Sequence, residues 1–369
     1  MNAKDSQSRA SPLRSRPRTL LVLGGGGMKG MVHVGVLRAL HKLGIVVDEI
    51  IGTSIGACVG SFYASGISVP ELETLVSELT KKDFFQIKVL KFLVKGYRHQ
   101  SLYKGETFMR FLEDRLPAKS FADLELPFFC NALSLDSGRV RYFGLPGCDS
   151  IPLTQAVYAS ASLPGIFEPL EWEGDHLIDG GIVDSLPLRL ARARKADLII
   201  AVDLSMREFG ENQFRKSLPW ILFRSFELAQ EAATEHNLHA HAGVDMIHIK
   251  APVGHLGVFD FSDLSALVDL GERQTLEVLA SHPRTSGLCD PNIVEELRVL
   301  GRTRKPYAGI VVDQETCIHC GVCRVTCATD AFTAAESGTV VLKAKNYECT
   351  LDGACVRNCP VDAIDLTLP

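Results

Sequence analysis

The sequence predicts an α/β fold with a mostly parallel central sheet, followed by a small α+β module. Three observations predict it. Apolar runs that read as strands ("TLLVLG", "VVDEIIG", "LIIAVDLS") alternate with helical stretches such as Met31–Leu43 and Pro219–Leu238; glycines crowd the ends of the first two runs; and seven of the eleven cysteines fall after residue 316. Strands alternating with helices imply a parallel sheet covered on both faces. At 369 residues the chain has room for roughly two domains.

Residues 1–18, with Arg9, Arg14, Arg16 and Arg18 among serines and prolines, lack the apolar content to fold alone and are expected to form a disordered tail. A net charge of −5 argues against non-specific nucleic-acid binding. No apolar run reaches the roughly 20 residues needed to cross a bilayer and no cleavable signal pattern precedes Thr19, so a cytoplasmic protein is expected.

The first strand runs into "LGGGGMKG". Glycines there let the main chain turn sharply and let another atom approach, and the following helix offers unpaired N–H groups at the positive end of its dipole. Two uses fit: cradling a dinucleotide's phosphates, with Asp48 or Glu49 as the ribose-binding acid, or aiming N–H groups at a developing oxyanion. The next strand ends in "IIGTSIGACVG", where Gly52, Ser54 and Gly56 have the spacing of a serine held on a sharp strand-to-helix turn. Together the glycine loop and the serine make the two halves of an acyl-transfer site, and Lys29 and "GTSIG" are unexplained by nucleotide binding.

"DFFQIKVLKFLVKGYRHQ", residues 83–100, interleaves large apolar residues with Lys88, Lys91, Lys95 and Arg98. It reads as a core helix with a solvated basic face, or as a segment lying at a lipid headgroup boundary. A serine nucleophile needs a base. His176, His236, His239 and His241 are candidates, the last three read as solvated or capping residues at a helix end. The better candidate is Asp179 in "HLIDGGIVDSLP", where Gly180 and Gly181 let a second loop close on the serine; Asp184 reads as an ordinary helix-entry residue. Cys58, Cys130, Cys148 and Cys289 read as small buried hydrophobes.

G-G-G-x-K-G, then G-T-S-x-G, then D-G-G, together with "ASASLPGIFEP", resemble the patatin-like phospholipase family over residues 19–285. The resemblance implies a three-layer fold and a Ser–Asp dyad, with Ser54 as nucleophile and Asp179 as base. It makes Gly25, Gly26 and Gly27, with Lys29 and Gly30, the oxyanion hole. An unperturbed carboxylate, with a pKa near ~4, is a poor base at neutral pH, so burial or a direct hydrogen bond to Ser54 has to compensate.

"DPNIVEELRVLGRTRKPY" reads as a linking helix, assigned to residues 286–307, ahead of a module at 308–369 with two similar halves, Ile310–Ala334 and Val341–Leu366. Cys317, Cys320, Cys323 and Cys327 have the spacing C-x2-C-x2-C-x3-C, in which one tight loop presents three thiolates to a cuboidal cluster and the fourth serves another. Zinc sites usually pair two C-x2-C clips instead. The module resembles a bacterial two-cluster ferredoxin domain, which implies Cys317, Cys320, Cys323 and Cys359 on one [4Fe–4S] cluster and Cys327, Cys349 and Cys355 on a second. Asp352 stands at the remaining ligand position, as a ligand or as a solvated loop residue, so the second cluster is expected as [4Fe–4S] or [3Fe–4S].

These readings combine into a serine acyl hydrolase acting on a phospholipid or lysophospholipid, fused to an iron–sulfur domain that senses redox state or docks an electron-transfer partner; the lipid-boundary reading of residues 83–100, as against the core-helix one, would add peripheral membrane contact. The alternatives are a flavin- or nicotinamide-linked electron-transfer protein and a lipid-binding module without activity.

Overall fold

The computed structural model describes residues 16–84, 105–205, 218–241, 246–253, 259–300, 309–327, 331–335, 339–342 and 354–367. An eight-stranded sheet organises the larger unit. Its parallel half is β3 (Phe128–Ser134), β2 (Glu49–Gly52), β1 (Thr19–Leu23), β7 (Leu198–Asp203) and β8 (Met246–Lys250), side by side in that order. Beyond β3 the sheet turns antiparallel through β4 (Val140–Phe143), β6 (Asp175–Asp179) and β5 (Leu170–Trp172).

Strand alternation explains why the central runs are apolar throughout. Leu21 and Leu23 of β1 enter the main core, whereas Leu20 and Val22 point to a second core on the opposite face, and Ile200/Val202 and Ile199/Ala201 of β7 divide in the same way. A strand buried on both faces needs no polar alternation. One face is covered by α1 (Val32–Leu43), α2 (Ile55–Ala64), α3 (Val69–Glu78), α4 (Glu106–Arg115), α5 (Leu153–Ala161) and α8 (Leu264–Ser281); α6 (Leu188–Arg194) and α7 (Leu218–Ala240) supply Leu188, Leu190 and Leu238 to the other. Three layers result, as expected.

Three expectations move, and a fourth is not reached. Residues 16–18 do not belong to the tail, because Arg16 forms a two-pronged ion pair with Asp48 and Arg18 bonds the Arg194 and Lys195 carbonyls. The linking helix α9 (Pro291–Val299) packs on the larger unit: the Asp290 N–H bonds Leu43 O, and Ile293 and Val294 lie against the main core. Cys58, Cys130 and Cys289 are buried as expected, but Cys148 is exposed, because its backbone closes a turn with Gly144 and Leu145 and turns the side chain outward. The basic segment with Lys88, Lys91, Lys95 and Arg98 lies outside the described residues; only its start is seen, with Phe84 buried against Phe108 and Phe111. No helix among the described residues is long and apolar enough to cross a membrane.

The C-terminal unit repeats one strand–helix–strand pattern. β9 (Gly309–Val312), a turn of helix at Val322–Thr326 and β10 (Phe332–Ala334) form the first half; β11 (Val340–Leu342), a turn at Ala354–Arg357 and β12 (Ile364–Thr367) form the second. β9 pairs with β12 and β10 with β11, both antiparallel, around a small core that includes Phe332, Cys323 and Cys355.

Candidate functional site

The chain reverses at the C-terminal ends of β1 and β2, which lie parallel with Leu23 opposite Gly52. That register brings the glycine loop beside Ser54. Ser54 sits at φ 55°, ψ −122°, a strained region for a residue with a side chain, and its amide donates to Ser160 Oγ at 3.0 Å. The strain lifts the hydroxyl off the sheet, as a sharp strand-to-helix turn requires. Gly56 makes the turn possible, since a Cβ there would stand 2.1 Å from Leu23 O. Gly52 is equally crowded by Gly56 and Ala57, and Gly30 by Ile55, so these three motif glycines admit α2 against the sheet and the loop.

Asp179 arrives from the last residue of β6, which pairs antiparallel with β3. Ser54 Oγ donates to Asp179 Oδ2 at 2.6 Å, while Asp179 Oδ1 accepts the Gly181 amide at 2.7 Å. Burial pushes the Asp179 carboxyl up to about 7, against the opposing pull of those two hydrogen bonds. Gly180 and Gly181 meet their neighbours closely, a Cβ on Gly180 falling 2.6 Å from Asn131 O. Asp184 is not an ordinary helix-entry residue: it is buried, accepts Tyr142 Oη and Asn237 Nδ2, and burial raises its pKa.

The glycine loop resolves into distinct parts. Gly24 and Gly25 spend their amides on Val202 O and Ser185 O, so Gly25 has no N–H left to give. Gly26 and Gly27 have no amide partner among the described residues, and with Met28 they line the same cleft as Ser54 and Asp179. Gly27 adopts φ 60°, the left-handed conformation that favours glycine. Lys29 is largely buried, which lowers its pKa against the opposing field of Glu227 and Glu231.

Three further groups escaped sequence reasoning. Ser160 holds the Ser54 amide. His33, fully buried on α1, places Nε2 2.8 Å from Gly24 O; with that hydrogen on Nε2 the ring is neutral, and burial drops its pKa to about 4. Gln230 of α7 donates Nε2 to Gly181 O at 2.7 Å, behind the Asp179 loop. The only signal for Gln230 in the sequence is its helical spacing to Asn237, which bonds the same loop at Asp184 and Leu186.

The cleft holds about 690 Å³ of empty space, part of it open to solvent. No histidine is among its described lining residues. His176 is exposed and paired with Asp136, His236 is exposed, and His241 bonds Asn237 O, while the His239 side chain lies outside the described set. The dinucleotide alternative loses its acid: Asp48 and Glu49 stand at the start of β2, at the opposite end of the sheet from the glycine loop, where they are engaged by Arg16 and by Arg18 and Arg194.

In the C-terminal unit Cys317, Cys320, Cys323 and Cys359 line one small apolar cavity with Val312, Val340 and Ile364. Two halves of the repeat thus converge on one place. No three ligand-type side chains among the described residues are set for a single metal ion, a geometry that four thiols around a cluster do not need. Cys327 and Cys359, at matching positions of the two halves, accept the amides of Ala331 and Ala363 at 3.3 and 3.2 Å. Cys355 is buried; Cys349 and Asp352 lie outside the described residues.

Comparison with known proteins agrees with both units. The patatin-like phospholipase family model matches residues 21–192, and the 4Fe-4S dicluster domain model matches residues 316–363. The chain is 28% identical over 307 residues to the lysophospholipase NTE1 of Coccidioides immitis, covering 78% of this chain and 19% of that protein. It is 33% identical over 196 residues to an uncharacterized NTE family protein of Mycobacterium bovis, covering 53% of this chain and 51% of the relative. The chain therefore spans about a fifth of the fungal relative's length and about half of the mycobacterial one's. The crystal structure of VipD from Legionella pneumophila aligns with 14% identity and a TM-score of 0.42, covering 72% of this chain and 67% of that one, a score too low to add to the assignment. On the two family matches, residues 21–192 carry a patatin-like phospholipase domain and residues 316–363 a 4Fe-4S dicluster domain.

Proposed function

We propose that the chain is a serine acyl hydrolase that cleaves a carboxylic ester of a phospholipid or lysophospholipid through an acyl-Ser54 intermediate. One observation carries the reading: the Ser54 hydroxyl, on a strained turn, donates directly to a buried carboxylate in an open cleft. The lysophospholipase among the relatives supports the substrate class.

Ser54 Oγ attacks the ester carbonyl while Asp179 Oδ2 takes its proton. The tetrahedral oxyanion is met by the Gly26 and Gly27 amides, each worth roughly 3 to 4 kcal/mol of transition-state stabilisation. Asp179 returns the proton to the leaving alcohol oxygen as the C–O bond breaks. Water then attacks the acyl-Ser54 carbonyl, giving its proton to Asp179, and the released Ser54 oxygen recovers it. Ester and water become acid and alcohol, with no electron moved. A carboxyl poised near 7 can serve in both directions at neutral pH.

The C-terminal unit fits a cluster at Cys317, Cys320, Cys323 and Cys359, whose thiols share one cavity. Cys327 and Cys355 serve the second site in this reading, with Cys349 and Asp352 completing it. Iron–sulfur clusters supply one-electron transfer, which ester hydrolysis does not use. A redox-sensing or electron-transfer role follows for this unit, and equal hydrolysis by oxidised, reduced and cluster-free protein would remove the sensing role.

A fluorophosphonate probe together with lysophosphatidylcholine hydrolysis tests the main reading. Wild type is expected to be labelled and to release fatty acid, and Ser54→Ala to do neither. Labelling that survives Ser54→Ala overturns it.

A further inference from the structure

Behind the cleft lies a second chamber. It is bounded by α2, α3 and α4 and holds about 450 Å³ of empty space, part of it open to solvent. Ile55, Cys58, Phe84 and Phe108 line both spaces, so the two lie against each other beyond Ser54. Every described residue lining the inner chamber is apolar apart from the Cys58 thiol, which burial holds protonated with a pKa pushed up to about 12. The outer cleft, by contrast, carries Glu227 and Gln230 on its far side.

The direction of the inner chamber follows from α2. Ser54 caps this helix, and Cys58 and Phe62 follow at four-residue intervals on one face, so Phe62 lies about 12 Å along the axis from Ser54 at 1.5 Å per residue. A site that cleaves esters must hold the acyl carbonyl at Ser54, with the acyl tail leaving one side and the alcohol the other. The side past Phe84 and Phe108 carries no charged residue among the described lining residues. Apolar walls of this kind favour hydrocarbon over water.

We propose that the chamber between α2, α3 and α4 is the acyl-chain site, which takes one medium-to-long unbranched fatty acyl group threaded past Phe84 and Phe108. The alcohol part of the ester then rests on the polar side, near Gln230 and Glu227. This inference rests on the acyl-hydrolase reading and deepens it. Chain length is selected inside the protein, by how far the tail reaches between Val59 of α2 and Val76 of α3.

Two measurements on the full-length chain test it separately from the serine chemistry. The first is the ratio of kcat/KM for p-nitrophenyl dodecanoate to that for p-nitrophenyl butanoate. Val59→Phe and Val76→Phe, which fill the chamber from different helices, are each expected to lower this ratio at least ~30-fold, because each excluded CH2 forfeits about fourfold. Leu72→Ala, which enlarges the chamber, is expected to raise it. The second is binding of dansylundecanoic acid to Ser54→Ala, which needs no turnover. Val59→Phe in that background is expected to weaken binding at least ~10-fold. An unchanged ester ratio in both Phe variants, each with a wild-type circular dichroism spectrum, overturns the chamber, as does probe binding that Val59→Phe does not weaken. Failure of wild type to hydrolyse either ester instead removes the hydrolase reading, while the fatty-acid measurement still decides the chamber.

Discussion

Ser54 and Asp179 share a hydrogen bond of 2.6 Å with no imidazole between them, although 125 residues separate them in the chain. The pair is buried enough that the carboxyl titrates near neutrality, and most of what can be measured about this site follows from that fact.

Ester hydrolysis should therefore rise with pH through about 7, since only the ionised Asp179 accepts the Ser54 proton. The folded-state pKa stands above the unfolded value near 3.8, so the folded chain holds this proton more tightly. The stability it confers is complete below about pH 4 and is lost as pH rises through about 7, on the order of 4 kcal/mol in all. Asp179→Asn cannot ionise. It is expected to melt above wild type at about pH 8, to lose that advantage near pH 4, and to lower kcat by ~100- to 10,000-fold. Melting curves at the two pH values check the first part and steady-state kinetics the second.

His33 should matter without touching substrate. Its Nε2 holds the carbonyl of Gly24, one peptide before the loop that faces the cleft. His33→Ala leaves that buried acceptor unpaired, at a cost of about 1–3 kcal/mol, and should lower kcat more than it raises KM. The His33 pKa falls from 6.5 to about 4 on folding, so the stability it contributes is present above about 6.5 and disappears as pH drops toward 4. Denaturant midpoints of wild type and variant, compared at about pH 7 and about pH 4.5, should converge on the acid side.

Gly56→Ala tests the geometry of the turn. A methyl group 2.1 Å from Leu23 O cannot be relieved by a side-chain rotation, because the obstacle is strand backbone. A loss of about 3 kcal/mol or more is expected, with poor soluble yield. A variant with wild-type melting temperature would mean that α2 does not approach β1 as described.

Cys359→Ser should lower the iron bound per chain by about half, because Cys359 shares its cavity with the three cysteines of the first motif. Exposed Cys148→Ser is the control and should leave iron content unchanged. Iron analysis with electron paramagnetic resonance of the reduced protein separates loss of one cluster from loss of both.

Much of this architecture is legible in the sequence. β1, β2 and β7 were marked by apolar runs, because strands buried on both faces leave no polar alternation to confuse the pattern. Ser54 and Asp179 were both marked by flanking glycines. What failed did so for physical reasons. Gly25 looks the same as Gly26 in sequence, but its amide is taken by Ser185 O, a contact made across 160 residues. Cys148 reads as a small apolar residue, yet a turn points it outward. His33 has no motif, because its role depends on Gly24 being folded back over α1.

By itself the sequence determined what is local: which runs become strands, where the chain must turn sharply, and that cysteines spaced two and three apart can grip a cluster. Such properties depend on neighbours within a few residues, whose spacing is written in the chain. Only the tertiary structure decided that a carboxyl from β6 meets the hydroxyl at the end of β2, that its proton is held near neutrality, which amides remain free, and that an apolar chamber opens behind the pair. Desolvation and close contact arise from segments far apart in sequence, and they exist only once the sheet and its two helical layers have closed around them.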